Sequence, residues 1–224
     1  MRRLAKVSCL AIGILTASGV SWGAVPLYTG LGTVHHAVTT KAPLAQKYFD
    51  QGLRLCYAFN HDEAIRAFRE AARLDPSCAM AHWGIAYALG PNVNFPVDPD
   101  REKEAFGETA TARTLAAKTS AHERAWVDAL AKRYSDDPKA DLKKLALNYK
   151  LAMGGVHEKF PADLDAATLY AESMMNLKPW QLWSNDGKPA EGTEEIVAVL
   201  ESVFNVWAHP VLHVLSHLGA TMDQ

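Results

Sequence analysis

The sequence contains little cysteine. Three cysteines occur in 224 residues, and Cys9 lies in the N-terminal leader, which leaves Cys56 and Cys78 for the rest of the chain. Two cysteines do not make a disulfide framework. Because Cys56 lies late in one predicted helix and Cys78 past the end of the next, we predict two separate buried thiols.

The chain also lacks short motifs that carry common chemistry. It contains no HEXXH zinc-protease motif, no C-x-x-C-H for haem attachment and no phosphate-binding glycine loop. These absences predict a protein that is not an enzyme and that holds no cofactor and no metal.

No basic stripe runs along the sequence. The whole chain has 23 basic and 25 acidic side chains, and the leader contains three of the basic ones and none of the acidic ones. The remainder is therefore mildly acidic, which argues against nucleic acid and anionic membranes as partners.

Residues 1–23 are typical of a secretory signal peptide. Arg2, Arg3 and Lys6 precede the apolar run VSCLAIGILTASGV, and the small residues of SWG suit cleavage before Ala24. The alternative is an uncleaved anchor, but the apolar run is shorter than the ~20 residues that a membrane span needs. No later apolar run is long enough to span. We predict an exported protein, periplasmic or secreted, without a membrane span after cleavage.

Residues 45–90 contain the clearest pattern in the chain. Apolar residues at helical spacing predict helices over 45–59, 64–74 and 79–90, and Pro76 ends the second of them. Five residues lie at the offsets that a two-helix repeat reserves for small, aromatic or helix-ending side chains: Gly52, Ala64, Phe68, Ala71 and Pro76. The small residues let the two helices approach closely, and the aromatic ring fills the space between them.

These residues resemble the tetratricopeptide repeat, a 34-residue helix–turn–helix unit. Tyr48, Gln51 and Phe59 depart from its usual pattern. Residues 59–94 and 164–183 carry a narrower resemblance, to exported bacterial repeat proteins of unassigned function. The resemblance implies an α-solenoid whose concave face binds a protein segment or a small ligand.

The predicted fold is therefore all-α, a right-handed α-solenoid of about eight helices. An irregular lead-in over 24–44 precedes the repeat domain of 45–206, and an atypical apolar tail over 207–224 follows it. The tail lacks the charged closing turn expected of a repeat, so the chain looks C-terminally truncated.

The repeat period breaks after residue 90. Three prolines interrupt residues 91–100, and this insertion is our preferred ligand-contact loop, with a plain surface loop as the alternative. A capping box at Ser120 opens a helix that we extend to Tyr134. The glycine pair at 154–155 is expected to soften or kink the helix over 139–159. Further helices are predicted to start near residues 100, 164 and 194.

The predicted binding surface is an aromatic groove on the concave face, suited to an apolar peptide or helix. The alternative is that these aromatic side chains pack inside the protein. The candidate contact residues are Phe49, Leu53, Tyr57, Trp83, Tyr87, Asn92 and Asn94. The function predicted from them is a scaffold that binds proteins or peptides without catalysis.

Histidines provide an alternative function. His35 and His36 form half of a metal site in principle, but a solvated loop is the favoured interpretation. His209, His213 and His217 are spaced i, i+4, i+8, which zinc can use if the tail is helical. The second hypothesis is therefore a metal-binding protein or metal-dependent enzyme built on loop and tail histidines.

Overall fold

The computed structural model describes residues 25–95 and 98–206, and all the regular secondary structure in these ranges is helical. The eight α-helices are α1 (Pro43–Tyr57), α2 (His61–Leu74), α3 (Ala79–Leu89), α4 (Pro99–Ala116), α5 (Ala121–Leu130), α6 (Leu142–Lys159), α7 (Leu164–Met175) and α8 (Thr193–Val206). The predicted all-α class with about eight helices is confirmed, whereas the solenoid arrangement stays a prediction. None of these helices is long and apolar enough to span a bilayer. The predictions for 1–23 and 207–224 lie outside the described residues.

Helix boundaries follow the predictions closely at α1–α3 and less closely later. The helix that begins at the Ser120 capping box ends at Leu130 and passes into a short 3-10 turn, short of the predicted end at Tyr134. The α6 helix starts at Leu142 instead of 139, because the Asp141 carboxylate caps it by accepting hydrogen bonds from two backbone amides.

The glycine pair does not interrupt the helix, since α6 runs unbroken to Lys159. Gly154 lies against α7, where a Cβ would come within 3.0 Å of the Tyr170 ring. Its role is therefore close helix packing, which the sequence pattern alone does not distinguish from a kink.

Phe68 is the centre of the α1–α3 packing. Its ring is fully buried, and a Cβ added at Gly52 would lie 2.6 Å from it. A Cβ at Gly84 of α3 would lie 2.4 Å from the same ring. The predicted packing of a small residue against this aromatic ring is confirmed, and α3 supplies a second glycine contact.

The lead-in is irregular, as predicted, and runs along α1. Tyr48 donates a hydrogen bond from its hydroxyl to the Val25 carbonyl at 2.7 Å, and Gln51 donates to the Pro26 carbonyl at 2.9 Å. Tyr48 and Gln51 are two of the three departures from the repeat pattern. Each supplies a polar group that holds the lead-in.

Asp75 ties the lead-in to the end of α2. One carboxylate oxygen accepts from the Ser77 hydroxyl at 2.6 Å, and the other accepts from the Thr40 hydroxyl at 2.5 Å. These bonds favour the charged form and lower the pKa of Asp75 from 3.8 to about 2.

This lowered pKa predicts acid sensitivity. The stabilisation from Asp75 is complete above pH ~4 and is lost as the pH falls towards 2, because the unfolded state then binds the proton first. We expect the urea midpoint of the wild type to fall more steeply over that range than the midpoint of Asp75→Asn, which does not titrate. The exposed Glu201→Gln variant is the control and should keep the wild-type slope. Parallel slopes for Asp75→Asn and the wild type would contradict the assignment.

Candidate functional site

Three side chains that suit a metal ion meet where the lead-in passes the first turns of α5 and α7. His36 comes from the lead-in, His122 is the second residue of α5, and Asp163 is the N-cap of α7. Each offers one donor atom, and these atoms all lie within 4.8 Å of one another. We call this group the His–His–Asp cluster.

Helix capping places two of the three side chains. Ser120 caps α5 by accepting a hydrogen bond from the Glu123 amide at 3.1 Å, which fixes His122 in the first turn. Asp163 caps α7 through Oδ1, which accepts from the Ala166 amide at 3.0 Å. Its second oxygen, Oδ2, is then directed at the cluster.

The Oδ2 atom of Asp163 has two close neighbours. It lies 2.6 Å from Nε2 of His122, and it accepts a hydrogen bond at 2.9 Å from the indole N–H of Trp126. The Trp126 side chain is fully buried, so the direction of this carboxylate is set by rigid groups.

His36 is the most enclosed member of the cluster, with 7% of its surface exposed. Its Nδ1 lies 3.0 Å from Oδ2 of Asp165, whose Oδ1 accepts a hydrogen bond at 2.6 Å from the Tyr57 hydroxyl. Its Nε2 is buried and has no hydrogen-bond partner among the described residues. When the neutral ring donates from Nδ1 to a carboxylate, Nε2 carries a lone pair.

Negative charge dominates the surroundings of His36. Burial by itself lowers the pKa of His36, but the hydrogen bond to Asp165 and the neighbouring carboxylates raise it above its ordinary value. One of those carboxylates belongs to Glu123, which is 3% exposed and accepts a hydrogen bond from the Thr39 amide. The electrostatic field at the cluster therefore favours a cation.

Aromatic rings fix the planes of both imidazoles. The His36 ring lies 4.5 Å from that of Trp126 and stacks on that of His122 at 5.5 Å. The Phe160 ring stands at right angles to His122, with 4.7 Å between the ring centres. Rings held in this way lose little freedom when they bind a ligand.

An open cavity of about 870 Å³ adjoins the cluster. Its walls are the lead-in from Thr33 to Ala37, the His122 ring and the segment from Lys159 to Asp165. All three cluster residues line it, so a small ion or molecule can approach the cluster from solvent.

The structure corrects the prediction for the histidine pair at 35–36. The His35 side chain is 56% exposed and binds Asp50 at 2.7 Å, which fits a solvated loop. For His36 that prediction is wrong, because its ring is buried under α5 and α7. The tail histidines at 209, 213 and 217 lie outside the described residues.

The five apolar and aromatic residues predicted for the groove are buried and do not line this cavity. Phe49, Leu53 and Trp83 are almost completely enclosed, and the hydroxyls of Tyr57 and Tyr87 donate to the α7 carboxylates of Asp165 and Glu172. On this face, α7 of the same chain makes the polar contacts. Peptide binding there stays a prediction.

Asn92 and Asn94 lie elsewhere, in the loop after α3. The Asn92 side chain accepts a hydrogen bond from the Asn94 amide at 2.9 Å, and the Asn94 side chain is exposed. Neither residue lines the cavity beside the cluster.

The sequence analysis missed the roles of His122, Asp163 and Trp126. Two signals were present: the capping box placed residue 122 in a first turn, and an aspartate stood just before the helix predicted from residue 164. Neither signal shows that two helix starts and the lead-in meet in space.

Two imidazoles and one carboxylate form a donor set that first-row transition metals accept. The described part of the chain contains no other group of three such side chains within this distance. Comparison with protein-family models, with curated proteins and with solved structures finds no match to this chain.

Proposed function

We propose that the protein binds a divalent transition-metal ion, Zn²⁺ or Fe²⁺, at the His–His–Asp cluster. Two observations carry the proposal: His36, His122 and Asp163 each offer a donor atom within 4.8 Å of the other two, and Nε2 of His36 is buried without a partner among the described residues. A buried polar atom without a partner is unfavourable, and a metal ion would satisfy it. Three protein ligands leave a coordination position for water or a substrate, as in catalytic metal sites.

The groups behind the ligands support the same proposal. Asp165 holds His36 through Nδ1, and the Trp126 indole holds Asp163 through Oδ2. Metal-binding histidines commonly bond a carboxylate through their second nitrogen, which sets the tautomer and orients the ring. The cluster thus has its supporting contacts in place.

A titration of chelator-stripped protein with Zn²⁺ tests the proposal. We expect one equivalent to bind, with a rise in melting temperature that a chelator reverses, because an ion that binds only the folded state stabilises it. His82→Gln is the control, since His82 pairs with Glu108 at 2.6 Å outside the cluster and should leave the stoichiometry at one. Binding below one equivalent, with no change in melting temperature, would contradict the proposal.

Loss of the indole hydrogen bond should weaken the site without removing a ligand. We expect Trp126→Phe to bind Zn²⁺ ~10–100-fold more weakly, since Asp163 then lacks the group that orients it. Trp183→Phe serves as the control, because the Trp183 indole N–H has no hydrogen-bond partner among the described residues. Competition with a chromophoric chelator measures both affinities, and equal values would refute the orienting role.

A scaffold that binds a protein or peptide remains the second candidate function. The packing of Phe68 between Gly52 and Gly84 supports this candidate, because it agrees with the repeat interpretation from which the scaffold was predicted. Chelation separates the two proposals. A partner that stays bound after the metal is removed belongs to the scaffold, and one that is released belongs to the metal site.

A further inference from the structure

A second cavity, of about 360 Å³, lies in a different part of the fold. The loop after α3, the start of α6 and the segment that follows α7 form its walls. It shares no lining residue with the cavity beside the His–His–Asp cluster. Its volume is in the range of small-molecule sites, about 300–1,000 Å³.

A buried guanidinium forms part of the cavity wall. Arg133 is 5% exposed and donates one hydrogen bond to the Pro91 carbonyl, and its guanidinium carbon lies 5.2 Å from the centre of the Tyr149 ring. No carboxylate of the described residues lies within 4.0 Å of it, and Glu102 and Glu172 act on it only from beyond that distance. A buried charge without a close ion-pair partner is costly, and Arg presents paired N–H donors that match a carboxylate.

Two further polar groups meet this cavity. Asn176 lines it, and its Oδ1 is buried without a hydrogen-bond partner among residues 25–95 and 98–206. Glu102 also lines it, and burial raises the pKa of this carboxyl group. Glu102 lies beyond ion-pair distance from Arg133, so it does not neutralise the guanidinium directly.

The mouth of the cavity is apolar. Phe95, Leu142 and Leu177 all line it, with 52%, 44% and 36% of their surfaces exposed. Large apolar side chains grouped around a cavity are typical of a ligand site.

Two loops are fixed to each other at this mouth. The Trp180 indole N–H donates to the Val93 carbonyl at 2.9 Å, and Trp180 itself has a φ of 61°, which is unfavourable for a residue other than glycine. Such backbone strain collects at functional sites, where surrounding contacts maintain it. The loop after α3 is also the one that the sequence analysis preferred for ligand contact.

We propose that this cavity binds a small organic carboxylate with an apolar body. The carboxylate pairs with Arg133, and the hydrocarbon lies between Phe95, Leu142 and Leu177. The ligand supplies the close ion-pair partner that the buried guanidinium lacks among the described residues, and it covers the exposed apolar mouth.

Sodium hexanoate tests the proposal, with 1-hexanol as the uncharged probe of the same chain length. We expect hexanoate to bind the full chain saturably at one site by calorimetry, at least tenfold more tightly than hexanol. Glu102→Gln should tighten hexanoate binding about threefold or more, because it removes a negative charge from the cavity wall. Arg133→Lys should weaken it at least tenfold, because an ammonium cannot bond both carboxylate oxygens in the same way.

The Glu102 variant keeps the test decisive if Arg133→Lys fails to fold. His82→Gln, outside both cavities, should leave hexanoate affinity unchanged whether or not the metal proposal holds. Equal binding of hexanol and hexanoate, the absence of saturable binding, or unchanged affinity in Glu102→Gln would each overturn the proposal.

Discussion

The His36→Ala variant should lose Zn²⁺ binding by at least ~100-fold while its far-UV circular dichroism stays helical. Nε2 of His36 is buried without a hydrogen-bond partner among the described residues, whereas His122 and Asp163 already contact each other at 2.6 Å. Without it, two donors remain, and two are too few for a closed or catalytic zinc site, which use four and three protein ligands. Competition with a chromophoric chelator provides the dissociation constants.

The neighbouring histidine provides a matched control. His35 differs from His36 by one position in the chain, yet its side chain is 56% exposed and binds Asp50. We expect His35→Ala to bind Zn²⁺ as tightly as the wild type. If His35→Ala lost the metal and His36→Ala kept it, the cluster would be assigned to the wrong histidine.

The largest effects on stability are expected at Phe68. Phe68→Ala should lower the free energy of unfolding by ~3–5 kcal/mol, since the ring is fully buried between α1 and α3. Gly84→Ala should also destabilise, by ~1–3 kcal/mol, because the new Cβ would lie 2.4 Å from the ring. Urea denaturation measures both changes.

Two other helical glycines serve as controls that distinguish the effect of a steric clash from the effect of helix propensity. Gly107 in α4 and Gly155 in α6 have no heavy atom within 4 Å of an added Cβ. Alanine there should stabilise by up to ~1 kcal/mol, because alanine favours helix over glycine. If Gly84→Ala behaved like these two, the close packing of α3 on Phe68 would be wrong.

The double variant checks that the clash is with Phe68 itself. In the Phe68→Ala background the ring is absent, so Gly84→Ala should no longer destabilise. The two changes are therefore expected to be strongly non-additive, as for residues in direct contact.

The sequence predicted local structure well where residues that are neighbours in the chain decide it. Pro76 cannot continue the helix that precedes it, and Ser120 with Glu123 marks a helix start, so both boundaries agree with the structure. It predicted less well where a role depends on a distant partner. Gly154 reads as a kink in sequence and is a packing contact because Tyr170 lies beside it.

The sequence did not predict the candidate site, for the same reason. The sequence predicts His36 to be a loop residue, because nothing nearby in the chain indicates that α5 and α7 cover it. Asp163 reads as an ordinary helix cap, and one of its oxygens does have that role. Only the packing of the lead-in against two helix starts shows that the other oxygen and two imidazoles share one space.

Crystals of Zn²⁺-loaded protein, measured at the zinc absorption edge, test the central claim most directly. The claim predicts one strong anomalous peak ~2.0–2.2 Å from a donor atom of each cluster residue, His36, His122 and Asp163. A peak bonded to other side chains, or no peak from protein that is fully folded and exposed to the metal, would contradict it.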